Sequence, residues 1–351
     1  MGDESTDPDQ LLQAAIDCLT AQGVDLDPYT FTPAAGATQA SVWKGVADED
    51  RQPEIALRLT PKPLEVIGRI ATMVNGVKSV VCPNTLAVGR LQAGDRSWTV
   101  HLCTWIGIGA PSKADMGALG EHLARLHQDL ASSSVDLTDR RLSFERIPTP
   151  SAEQELPTWY VAHHLWRYRI FAYLYMKTEQ MAPQPIHGDL HWGNVVATND
   201  GFGFIDFDKV MFAPPVFDLA KLIATGMFRG GEQVRFQARK TTQLLEGYES
   251  VRPLADAELD ALEGLAVLLN EETARLGTVY DIDEYKRAAD AVACWWIARR
   301  KRTRSDPLGI RTARQLTAAD HDPFDQLTLW PYREPADQLT LWPDDEPDSP
   351  S

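Results

Sequence analysis

His187-Gly188-Asp189 opens the run Ile186–Val195, and Asn194 stands five residues after Asp189. Asp206 follows twelve residues beyond Asn194, in Phe204-Ile205-Asp206-Phe207-Asp208. A carboxylate ahead of a turn can accept a proton. An amide oxygen and a second carboxylate beside it can hold Mg²⁺, which takes hard oxygen ligands, usually one or two carboxylates together with substrate phosphates. Phosphoryl transfer has these needs. It asks for little covalent chemistry from the protein, and positioning with neutralisation of phosphate charge does most of the work.

To gather these residues the chain must turn back between them. Asn199-Asp200-Gly201 is a strong hairpin signal, so two short strands would hold Asp189, Asn194 and Asp206 around one point. Around this island, Pro185 to Pro215, the pattern divides in two. Leu11, Leu12, Ala15, Ile16 and Leu19 recur at helical spacing, with Gly23 as a stop. Strands are expected at Tyr29–Thr32, Ser41–Val46 and Glu54–Thr60, then a helix at Leu64–Val74 and a hairpin of Thr85–Leu91 with Trp98–Ile106 around Ala93-Gly94-Asp95. From Lys113 onward helices dominate: Met116 to His127, an aromatic-rich stretch Glu155–Lys177, then Val216–Thr225, Gln233–Tyr248, Ala257–Leu276 and Asp283–Lys301. A small β-rich part followed by a larger α-rich part suits an α+β, two-lobe architecture rather than a doubly wound sheet. The expected divisions are an N-terminal helix (1–24), a β-rich lobe (25–106), a helical lobe (107–304) and an acidic tail (305–351).

The chain has 351 residues, with 34 basic against 50 acidic side chains and a net charge of −16. So acidic a chain repels nucleic acid and anionic membrane surfaces, although it can still hold a small nucleotide in a local pocket. Neither a membrane-spanning apolar run nor a signal peptide is read, since the start Met1-Gly2-Asp3-Glu4-Ser5 is acidic. Cys18, Cys82, Cys103 and Cys294 form no C-x-x-C pair and read as reduced core residues of a cytoplasmic protein, without a zinc site. The tail carries Asp325-Gln-Leu-Thr-Leu-Trp-Pro331, repeated word for word as Asp337–Pro343. A twelve-residue period occurring twice is too short for a solenoid. Either the tail is a duplicated disordered segment, or its Leu and Trp anchors dock on this chain or on a second subunit.

The His187–Asn194 and Ile205–Asp208 segments resemble the aminoglycoside phosphotransferase and choline kinase group of small-molecule kinases. That group has H-G-D-x-x-x-x-N where protein kinases have H-R-D, then I-D with an aromatic and an acid, and a further Asp-Leu-Ala, here Asp218-Leu219-Ala220. The resemblance covers roughly residues 29–250 and implies a protein-kinase-like two-lobe fold, a β-rich nucleotide-binding lobe and a helical one. It implies ATP and Mg²⁺ as cofactors, with Asp189 as catalytic base, Asn194 and Asp206 as metal ligands, and His187 and Asp218 as structural support. Arg58 takes the place of the strand residue that contacts nucleotide phosphates, a bidentate substitute for Lys. Glu65 is the only acid on its helix, and it is either the partner of Arg58 or an ordinary first-turn acid. Gly36 to Ser41, with a single glycine, would take the place of the phosphate-covering loop and put Ser41 by the nucleotide, or else is an ordinary hairpin turn. Thr104 and Ile106 fall in the linker whose backbone would read adenine, and His127 ends an L-x-x-L-H helix as a structural residue.

The activity so implied is phosphorylation of a hydroxyl on a small, amino-bearing molecule such as an aminoglycoside, an amino sugar or choline, with antibiotic resistance among the roles of that family. A protein Ser/Thr kinase is the first alternative. It is disfavoured by Gly188 and by the short Asp208–Phe217 interval. A non-catalytic nucleotide-binding scaffold is the second, disfavoured by the intact Asp189, Asn194 and Asp206. For an amino-bearing acceptor, Glu271, Glu272, Asp281, Asp283 and Glu284 would line a cleft, or else form a solvated face. The aromatics of Trp159–Tyr175 would either stack a ring or pack the core.

Overall fold

The computed structural model describes residues 7–34, 41–48, 52–107, 115–141, 181–229, 235–262, 264–266 and 269. The aromatic stretch 155–177, the helix expected at 283–301, the five acids from 271 to 284 and the repeated tail lie outside them. The chain divides into two compact units. Met1–Arg141, Gln184–Asp189 and Gly193–Phe212 form one, and Leu142–Pro183, Leu190–Trp192 and Ala213–Ser351 the other.

An antiparallel sheet organises the first unit. Its strands are β1 (Tyr29–Pro33), β2 (Ser41–Ala47), β3 (Ile55–Thr60), β4 (Thr85–Ala93) and β5 (Arg96–Thr104), in the spatial order β1-β2-β3-β5-β4. Central β3 is buried at every position but Arg58, so the strand reads as an apolar run carrying one cation. Helix α1 (Pro8–Thr20) starts with the Asp7 side chain accepting from the Asp9 amide and with Pro8 in the first turn, and it lays Leu11, Ala15 and Leu19 into the sheet core with Trp43, Ile55, Leu57, Leu59 and Val100. Helix α2 (Leu64–Asn75) buries Ile67, Ile70, Met73 and Val74, the stripe its 3.6-residue period anticipates.

Helix α3 (Met116–Ala131) is capped by Asp115, whose Oδ1 accepts from the Gly117 and Ala118 amides at 2.9 and 3.3 Å. It runs a turn beyond the expected end at His127, because Leu130 continues the buried stripe. His127 is fully buried, and its carbonyl accepts from Gln184 Nε2 at 2.7 Å, which ties the next segment to the helix. In that segment β6 (Gln184–Ile186) pairs with β9 (Met211–Ala213), while β7 (Val195–Thr198) and β8 (Gly201–Phe204) form the expected hairpin, Val195 opposite Phe204 and Thr198 opposite Gly201.

In the second unit α4 (Val216–Gly226) is almost wholly buried. The Trp192 indole packs where a Cβ of Gly226 would stand and donates to the Leu222 carbonyl at 3.2 Å. The helix expected from Gln233 begins later, as α5 (Ala238–Glu249). Arg235–Phe236 is instead a short strand, β11, paired with β10 (Phe228–Arg229). Two residues are too few to show an alternation, so only the pairing with β10, six to eight residues earlier, reveals it. No helix among the described residues is long and apolar enough to cross a membrane.

Candidate active site

His187 is the hub of the loop before β7. It is fully buried, with Nε2 at 2.9 Å from the Ile205 carbonyl and Nδ1 at 3.3 Å from the Asp189 amide. A carbonyl can only accept, so Nε2 carries the proton and Nδ1 accepts from Asp189. One neutral tautomer satisfies both bonds, and the ring packs against Phe207, centroids 4.5 Å apart and planes tilted by 39°. Asn194, also buried, donates from Nδ2 to the Asp189 carbonyl at 2.9 Å, and its own carbonyl accepts from the Ile205 amide at 3.0 Å. The loop and the Asp206 arm are therefore one hydrogen-bonded piece.

Gly188 is required there by geometry. Its φ is +79°, and a Cβ would collide with the backbone carbonyl of Lys209. Gly188→Ala is expected to destabilise the protein by about 2–4 kcal/mol, from left-handed strain plus a clash with immovable backbone. Thermal or urea unfolding measures it, and an unchanged midpoint would refute the packing of loop 187–189 against 209.

Asp206 is the only non-glycine residue with positive φ among the described residues (φ 65°, ψ 59°). Such a conformation costs an L-residue roughly 1–2 kcal/mol and tends to be kept where it aims a functional group. Asp206 Oδ1 lies 3.0 Å from Arg58 Nη2, which also reaches Asp208 Oδ2 at 3.2 Å. Lys62 donates to the Asp208 carbonyl, with Nζ 3.7 Å from Oδ2. Arg140 completes the clamp, donating from Nε to the Val210 carbonyl at 2.6 Å and from Nη2 to that of Asp208 at 3.1 Å.

Burial alone would weaken the charge on Arg58, but Asp208 and then Asp206 outweigh it and hold the guanidinium above its ordinary value. Burial pushes the Lys62 ammonium below its usual range; Asp208 opposes this, and Arg140 adds to it. Opposite Arg58 in the ladder stands His101, lowered to about 4 by burial and by the guanidinium, with Nε2 at 2.8 Å from Thr85 Oγ1. His101 stays neutral near pH 7 and adds no competing cation beside Arg58. Burial pushes the nearby Cys103 thiol up to about 11, so it is not a thiolate nucleophile.

Asp189, Asn194 and Asp206 are thus joined within one unit, with Arg58 bonded to the last. Of the two readings of Glu65, the structure matches the first-turn acid. Glu65 lies exposed and pairs with Arg90 at 2.8 Å, whereas the acids on Arg58 are Asp206 and Asp208. Ser41 begins β2, opposite Leu59. The rest of its loop, 36–40, lies outside the described residues. Thr104 spends its N–H on the Asn84 carbonyl and its Oγ1 on the Asn84 amide, both at 2.9 Å, and the Trp105 amide goes to the Glu54 carbonyl at 2.8 Å. The next backbone donor along the linker is Ile106. Asp218 is buried in α4 of the second unit.

Sequence reasoning missed Lys62, Arg140 and Lys209. Lys209 sets its Nζ 2.8 Å from Asp189 Oδ2, and its position directly after Asp208 was the available signal. The donor set fits Mg²⁺. The Asn194 amide nitrogen is spent on Asp189, so its remaining acceptor is Oδ1, and the half-exposed Asp206 adds a carboxylate. Two hard oxygens leave the rest of the shell to phosphate and water, as that ion prefers.

A family model described as the phosphotransferase enzyme family (APH) matches residues 30–254. Among curated proteins, an uncharacterized protein of Synechocystis sp. is 31% identical over 172 residues, 46% of this chain and 45% of its own length. The homoserine kinase of Gluconobacter oxydans is 33% identical over 138 residues, 39% of each chain. The chain thus spans less than half the length of these curated relatives. Among solved structures, a microcompartment-associated aminopropanol kinase superposes with a TM-score of 0.60 at 17% identity, covering 83% of this chain and 98% of its own. The amicoumacin kinase hAmiN, in complex with AMP-PNP, Ca²⁺ and its ligand, does so with a TM-score of 0.61 at 16% identity, covering 91% and 99%. The fold is α+β and protein-kinase-like.

Proposed function

We propose, for a chain that belongs to the phosphotransferase enzyme family, that it transfers the terminal phosphoryl group of ATP to a hydroxyl of a small, amino-bearing molecule. The observation carrying this reading is the continuous tie from Asp189 through Asn194 to the Asp206 arm, by bonds of 2.9 and 3.0 Å. It couples a candidate base to a candidate metal site.

In this reading Asp189 takes the hydroxyl proton as the hydroxyl oxygen bonds to the terminal phosphorus. The bond from that phosphorus to the bridging oxygen breaks, and its electron pair leaves with ADP. Asn194 and Asp206 would hold Mg²⁺, which supplies neutralisation of phosphate charge. Arg58 stands ready to move from Asp206 and Asp208 onto phosphate oxygens. Ser41, Thr104 and Ile106 would be the nucleotide contacts on β2 and on the linker, His187 would support the loop, and Asp218 would be a structural residue of α4. The amino-bearing acceptor is supported by the homoserine and aminopropanol kinases among the similar proteins, both named for small amino alcohols.

The test is ADP release with ATP and Mg²⁺ over homoserine, aminopropanol, choline, aminoglycosides, amino sugars and nucleosides, with casein as a protein acceptor. Turnover is expected with at least one amino-bearing alcohol and none with casein. Turnover with casein alone would make the chain a protein kinase, and nucleotide binding with no turnover would make it a scaffold.

A further inference from the structure

The candidate base is covered. Lys209 Nζ lies 2.8 Å from Asp189 Oδ2, and the carboxylate side chain is 15% exposed against 51% for the lysine. The backbone beneath this lysine is fixed on both sides. Arg140 holds the Val210 and Asp208 carbonyls, and Gly188 packs against the carbonyl of Lys209 itself. What can move is the four-carbon stem with its ammonium, a compact charge on rotatable bonds.

An ammonium 2.8 Å from Oδ2 occupies that oxygen and lowers the basicity of the whole carboxylate, so Asp189 is a better proton acceptor once the ammonium leaves, and a cation leaves a carboxylate for another anion. A hydroxyl bonded to Asp189 sits about 2.6–3.2 Å from it and must lie about 3–3.5 Å from the phosphorus it attacks. The transferring group is therefore the nearest anion a substrate brings to Lys209. In the free protein Arg58 and Lys62 are engaged with Asp206 and Asp208, so of these cations only Lys209 lies on Asp189.

We propose that Lys209 caps Oδ2 of Asp189 in the free protein and moves to the terminal phosphoryl group when a nucleoside triphosphate binds, so that this oxygen is released from the ammonium only when there is a group to transfer. The inference rests on the reading of Asp189 as base. Lys209 exchanges no proton in it; the proton still passes from acceptor hydroxyl to Asp189 and the electron pair still leaves with ADP.

Calorimetric binding of AMP-PNP and of ADP, each with Mg²⁺, tests it without any acceptor. Lys209→Met should weaken AMP-PNP about tenfold, the size of one lost charge-assisted contact, and leave ADP within about twofold. Lys209→Arg should restore most of that preference. Asp189→Asn, which removes the competing carboxylate, should tighten AMP-PNP a few-fold with ADP unchanged, a shift that a merely bracing lysine has no means to produce. Equal effects of Lys209→Met on both nucleotides, or none on either, would overturn the inference while leaving the proposed function standing. A wild-type protein that binds neither nucleotide would overturn both.

Discussion

Asp189→Asn is expected to abolish phosphoryl transfer while nucleotide affinity stays within a few-fold of the wild type. The asymmetry follows from what the residue would touch. A general base acts on the acceptor hydroxyl and contributes about 10²–10⁴-fold to the rate. The isosteric amide keeps two bonds of the loop that use the backbone of residue 189: the amide to His187 Nδ1 at 3.3 Å and the carbonyl to Asn194 Nδ2 at 2.9 Å. Single-turnover rates at saturating ATP, on the best acceptor from the screen, isolate the effect. Activity above about a tenth of wild type would remove Asp189 from the mechanism.

The second large effect is expected at Asp206. Asp206→Ala should weaken Mg²⁺-dependent nucleotide binding and activity together, since one carboxylate would bridge ion and phosphate. Residue 206 sits in the left-handed region, which Asp and Asn tolerate better than Ala. Asp206→Asn therefore accompanies it, keeping the backbone while removing the charge. Both variants should lose most of the gain in AMP-PNP affinity that Mg²⁺ confers on the wild type. Arg58 retains Asp208 at 3.2 Å, so the cation keeps an anchor in the variant. Equal AMP-PNP affinity with and without Asp206, at any Mg²⁺ concentration, would refute the metal assignment.

The two variants separate the parts of the site, because the first should spare nucleotide binding and the second should spare the base. A protein in which both lose nucleotide and stability alike would have a loop that is structural only. The Arg58 clamp bears on this distinction. Its guanidinium is bonded to Asp206 and Asp208, and if Arg58 takes the nucleotide phosphates, free protein and nucleotide complex differ in this contact.

The amino-acid sequence by itself determined what is local. The Asn199-Asp200-Gly201 turn specifies the β7–β8 hairpin, because a two-residue connection fixes its own register. The order Asp189, Asn194, Asp206 is legible for the same reason, since a loop and one hairpin suffice to fold these residues together. The amphipathic periods of α1, α2 and α3 show which of their residues are buried. Tertiary structure alone decided which acids meet Arg58: Glu65, seven residues away, went to Arg90, and Asp206 and Asp208, about 150 residues away, took its place. It likewise decided that Lys209 covers Asp189, that His187 carries its proton on Nε2, and that Arg235–Phe236 forms a strand rather than a helix. Periodicity records which face of an element is apolar, a property of neighbours along the chain. Charge pairing between distant segments depends on how packed backbones approach one another, and Arg58 reaches the 206–208 arm only because the sheet carrying it and the loop behind that arm fold into one unit.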